Sequence, residues 1–90
     1  MMHHTTVIIN NLGPLSITFP AAYFGMETEI ENLGPSGAIY FGSTPGVSEA
    51  DHEFALLPNE KVSLGPTPRS DLHAISSLPY VKLGIFSDMD

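Results

Sequence analysis

Apolar and polar residues alternate with a period of two along much of the chain. Leu15, Ile17 and Phe19 are interleaved with Ser16 and Thr18, and Met26, Thr28 and Ile30 with Glu27, Glu29 and Glu31. Neighbouring side chains of an extended strand point to opposite faces, so each run predicts a half-buried strand. Shorter runs at Val7 to Asn10, Ala38 to Gly42, Glu53 to Leu57, Lys61 to Leu64, Asp71 to Ser77 and Tyr80 to Phe86 bring the expected number of strands to about eight. Eight prolines and eight glycines punctuate the chain, and no stretch keeps apolar residues at helical spacing for three turns. The expected fold is therefore all-β, an antiparallel β-sandwich or jelly-roll-like barrel of about eight short strands.

The connections carry their own signals. Val7-Ile-Ile-Asn-Asn-Leu-Gly-Pro14 echoes Thr28-Glu-Ile-Glu-Asn-Leu-Gly-Pro35, and each segment leads into another apolar strand. Asn and Gly accept positive φ while Pro begins a returning strand without a ladder donor, so both read as hairpins. Turn chemistry is enough to produce this likeness without duplication. Leu57-Pro58-Asn59-Glu60 predicts a tight turn with Asn59 in the left-handed region. Gly42 to Asp51 and Gly65 to Ser70 read as longer surface loops. Met1 to Thr6 precedes the first strand run and is read as an N-terminal arm touching a neighbouring subunit, with residues 7–90 forming one domain.

Charge narrows the functional classes. Ten acidic residues face three basic ones, Lys61, Arg69 and Lys82, for a net charge of -7. Such a surface repels phosphate backbones and anionic headgroups, which argues against nucleic acid or a membrane surface as partner. The N-terminal segment lacks the basic start and long apolar run of a signal peptide, and no stretch is apolar enough to span a bilayer as a helix. The chain has no cysteine, so disulfides, thiolate nucleophiles and cysteine-based zinc sites are all excluded.

The remaining candidate chemistry is sparse. The four histidines show no recognised ligand spacing; His3 and His4 are adjacent and would face apart in a strand, and His52 sits between Asp51 and Glu53 in an expected loop. No metal or other cofactor is expected. Asp71, His73 and Ser77 are the nearest approach to a catalytic set, but residues two apart in a strand lie about 6.5 to 7 Å apart, too far for nucleophile, base and orienting group to meet. No catalytic residue is assigned. Glu27, Glu29 and Glu31 line one strand face, either as a solvated row that discourages edge-to-edge aggregation or as a docking strip for a basic partner. Phe19-Pro-Ala-Ala-Tyr-Phe24 is either core or contact surface; on a rim, Tyr23 and Phe24 would be large rigid anchors.

Three blocks carry a resemblance: Ile39-Tyr-Phe-Gly-Ser-Thr-Pro-Gly-Val-Ser48, Leu57-Pro-Asn-Glu-Lys-Val-Ser-Leu64, and Asp71-Leu-His-Ala-Ile-Ser76 followed by Tyr80-Val-Lys-Leu-Gly-Ile-Phe86. From Ile39 onward the chain resembles small β-sandwich structural proteins of tailed bacteriophages, which decorate or cement the head or occupy neck and tail positions. That group often has Pro-Gly-Glu in the turn and Asp-Leu-Tyr-Ala in the later strand; here Asn59 and His73 stand at the differing positions. The resemblance spans about half the chain and implies a mechanical virion component, assembled in the host cytoplasm, with no catalytic residues.

The function expected from these observations is capsid decoration or cementing, with the major capsid protein or other virion subunits as partners. A 90-residue chain buries only about 60% of its unfolded surface, so self-association is also expected, with a trimer favoured. The expected interface comprises Met1, His3, His4, Tyr23, Phe24, Glu27, Glu29 and Glu31. The alternatives are a neck, tail or fibre-base protein, or a small carbohydrate- or ligand-binding module whose groove Tyr23, Tyr40 and Tyr80 would line.

Overall fold

A computed structural model describes residues 2–17, 27–65 and 72–88. Eight strands run in chain order: β1 (Met2–Ile9), β2 (Leu15–Ser16), β3 (Glu27–Asn32), β4 (Ile39–Gly42), β5 (Phe54–Leu56), β6 (Lys61–Gly65), β7 (His73–Ser76) and β8 (Val81–Asp88). They form two antiparallel four-stranded sheets. The first has the order β1-β8-β3-β6 and the second β2-β7-β4-β5. The expected all-β sandwich is the architecture found, and no helix occurs among the described residues.

Alternation sets the faces. In β3, Thr28, Ile30 and Asn32 are buried while Glu27, Glu29 and Glu31 turn outward. Ile9, Ile30, Val81, Leu83 and Ile85 of the first sheet pack against Ile39, Phe41, Leu56 and Ala74 of the second, with Ile17 and Leu72 completing the core. The Phe41 and Phe54 rings stack at 4.8 Å with planes 10° apart.

Two readings of the sequence need correction. Neither Asn-Leu-Gly-Pro segment closes a hairpin: β1 pairs with β8 and β2 with β7, and β3 pairs with β6 and β8 while β4 lies in the other sheet. Each segment instead carries the chain from the first sheet to the second. Both do so around an asparagine whose side-chain oxygen accepts a backbone amide two residues on, Asn10 from Leu12 and Asn32 from Gly34. This Asx-turn reverses the chain locally, and distant strands decide whether the reversal is a hairpin or an arch. The second correction concerns the arm. Residues 2–6 are the first part of β1, in unbroken register with β8 from Met2↔Asp88 to Ile9↔Val81.

Asn32 ties the two sheets together through its side chain. It is fully buried, and its amide nitrogen donates to the carbonyls of Gly37 at 2.9 Å and Leu56 at 3.0 Å. Its backbone amide donates to Glu60, and its carbonyl accepts from Asn59. Asn59 adopts the expected left-handed conformation, with φ 69°. Gly37 has φ +90°, and a Cβ there would come within 2.9 Å of Leu78, so this position needs glycine twice over.

Candidate interaction surface

The first sheet is interior-facing on one side and open on the other. Its outer face carries His4, Thr6 and Ile8 from β1, Lys82 and Phe86 from β8, the glutamates of β3, and Lys61 and Ser63 from β6. Phe86 lies between His4 and Glu29 in the register. Its ring stacks on the His4 imidazole at 4.6 Å with planes 3° apart. The ring also reaches over Gly84, where an added Cβ would meet it, and Leu33, at 2.8 Å. Glycine in mid-strand is what lets this aromatic side chain lie down on the sheet.

The glutamate row therefore sits on an interior strand, flanked by β8 and β6. Among the described residues the edges of this sheet are β1 and β6, so the row does not line an edge strand. Glu31 stands opposite Lys61 and Glu29 opposite Ser63. Glu29, Glu31, Lys61 and Phe86 line a shallow depression.

A larger concavity opens at one end of the same sheet. Ile8, Leu33, Gly34, Pro35, Tyr80 and Lys82 line an apolar groove of about 490 Å³. Pairing of β1 with β8 sets Ile8 opposite Lys82, and the Leu33 amide donates to the Lys82 carbonyl, which brings the β3–β4 arch alongside. Tyr80 is 81% exposed and Ile8 46% exposed, so a large aromatic and an aliphatic side chain face solvent together. Isolated exposed apolar residues are ordinary, and a groove lined by several of them is a candidate contact site.

The other candidates fall apart spatially. His73 is half-buried at the start of β7, while Ser77 lies beyond its other end with its hydroxyl accepting the Ala38 amide; Asp71 lies outside the described residues. Tyr40 stands half-buried on β4 in the second sheet, beside His52 at 4.9 Å, and Tyr80 lies on the first, so these two do not share a groove. His52 Nδ1 lies 3.2 Å from the Ser48 carbonyl, and Glu53 accepts the Ser43 amide. Among the described residues, no three His, Asp or Glu side chains cluster as a metal site would require. His3 stands opposite Ser87 in the ladder. Met1, Tyr23 and Phe24 lie outside the described residues.

Of the expected interface, the structure thus brings His4, Glu27, Glu29 and Glu31 to one face. It adds Ile8, Leu33, Pro35 and Tyr80, four residues that periodicity alone could not unite. No family model matches the chain, and neither curated proteins nor solved structures provide a match.

Proposed function

We propose that this domain is a non-enzymatic structural protein of a tailed-phage virion, decorating or cementing the capsid by seating its Tyr80 groove on shell subunits. The observation that carries the reading is the groove itself, with a rigid aromatic side chain standing in solvent above Ile8, Leu33 and Pro35. Tyrosine in such a setting supplies large contact area at low conformational cost and dominates interface energy. The phage context comes from the resemblance of the segments beginning at Ile39. An acidic domain meeting a shell through an apolar seat keeps its carboxylates hydrated, which avoids the desolvation penalty of burying them.

Binding to purified particles lacking the protein tests this. Tyr80→Ala should weaken attachment by about 30-fold, the equivalent of roughly 2 kcal/mol at a hot-spot residue. The variant should fold normally because the side chain is mostly outside the core. Attachment through the groove should also change little as salt rises, whereas attachment through Glu29 and Glu31 would weaken steeply. An unchanged affinity for Tyr80→Ala together with strong salt dependence would move the contact to the glutamate row. No binding of the wild-type chain to shells would overturn the cement reading.

A further inference from the structure

The four sheet edges of the sandwich are unequal. β2 has two residues and β5 three. β6 contains Lys61, opposes a register irregularity at Thr28/Glu29, and is followed by Pro66. Short length, lysine, bulges and proline are the ordinary means of blunting an edge against intermolecular pairing. β1 has none of them: it runs for eight residues in regular register, Met-His-His-Thr-Thr-Val-Ile-Ile, without proline, Asp, Glu, Lys or Arg.

Backbone direction along β1 follows from one bond. The Leu33 amide donates to the Lys82 carbonyl, so Lys82 turns its backbone groups toward β3. Amide and carbonyl of one strand residue point to the same side, and the side alternates along the strand. Val81, Leu83, Ile85 and Ser87 therefore bond β1, and their partners are Ile9, Val7, Thr5 and His3. His4, Thr6 and Ile8 turn their amides and carbonyls away from β8, toward the edge that is open among the described residues. Among the described residues, the outward carbonyl that is taken belongs to Asn10, just past the strand, which accepts the Ser76 amide.

We propose that β1 is a homodimer edge, pairing antiparallel with β1 of a second copy about a two-fold axis at Thr6 to form one continuous eight-stranded sheet. In this register Thr6 faces Thr6 of the other copy and His4 faces Ile8, giving three pairs of two bonds, about six backbone hydrogen bonds. The occupant is a second copy because of charge. Two chains of net charge -7 repel, but β1 itself carries no carboxylate, and in the adjoining strand the carboxylate nearest to it is Asp88, opposite Met2 and away from Thr6. Across this axis the glutamate rows of the two β3 strands lie five strand spacings apart, roughly 24 Å. That is well beyond the screening length of about 8 Å at physiological salt. β1 itself offers a basic partner strand no carboxylate to pair with. The pairing also sets two Tyr80 grooves on one face, so a dimer would bind bivalently. It assigns a two-fold pair where sequence alone favours a trimer, and it stands whether or not the shell is the partner.

The chain's lack of cysteine makes the test clean. Sedimentation of the wild-type chain should give twice the 9.7 kDa monomer mass. Thr6→Cys should cross-link almost completely to a dimer on mild oxidation, since facing residues lie about 5.5 Å apart between Cα atoms, within disulfide range. Ser63→Cys on β6 should not. Thr6→Pro removes an outward donor and leaves the β1–β8 ladder intact, so it should weaken dimerisation at least about 30-fold, the loss of two central bonds of roughly 1 kcal/mol each. A wild-type monomer or trimer at 100 μM, as a rough upper concentration for a specific contact, overturns the proposal. So does equal cross-linking at Ser63, or a Thr6→Pro chain that stays dimeric. Should Thr6→Pro unfold, the wild-type mass and the cross-linking pair still decide.

Discussion

Asn32→Asp should destabilise the domain by about 4 kcal/mol or more, measured as the shift in urea unfolding at neutral pH. The substitution changes one atom group while keeping the shape. The amide nitrogen that donates to the Gly37 and Leu56 carbonyls becomes a carboxylate oxygen facing two acceptors in a fully buried site. Both carbonyls lose their donor, and a charge is left without a counter-ion. Asn32→Leu also strands the two carbonyls and the Gly34 amide, but buries no charge, so it should be the milder of the two. A reversed order, or an effect below about 1 kcal/mol for Asn32→Asp, would show that the sheets are not tied together through this side chain.

Phe41→Ala is the second large effect. Phe41 has no exposed surface and stacks on Phe54 at the centre of the second sheet. Truncation removes apolar contact and leaves a cavity that the surrounding core only partly relaxes to fill, which amounts to about 3 to 5 kcal/mol. A domain of this size is stable by only roughly 5 to 13 kcal/mol. The melting temperature should therefore fall by about 15 to 30 °C. A fall of less than about 5 °C would contradict the placement of Phe41 at the core centre.

Much of this fold was readable in the chain. Alternation at Glu27–Asn32 identifies both the strand and its wet face, and Pro58-Asn59 identifies its turn, because each depends on local sterics alone. What local chemistry cannot convey is partner choice. Asn10 and Asn32 make the same Asx-turn that a hairpin would use, and only the pairing of β8 with both β1 and β3 turns those segments into arches. The same limit hid the first part of β1: His4, Thr5 and Thr6 are polar or half-buried, so the strand shows little apolar contrast until Val7. The groove was least legible. Ile8, Leu33 and Tyr80 are separated by 25 and 47 positions, counting 33 minus 8 and 80 minus 33, and are joined only through the β1–β8 and β3–β8 ladders.

The central claim is that the domain adds strength to a shell by binding it, and the rupture temperature of the particle measures that strength directly. Particles lacking the protein should rupture at a lower temperature than complete ones. Adding back the wild-type chain should restore the higher value at low and high salt alike, while Tyr80→Ala should restore it only at far higher concentration. An unchanged rupture temperature with and without bound protein would contradict the account.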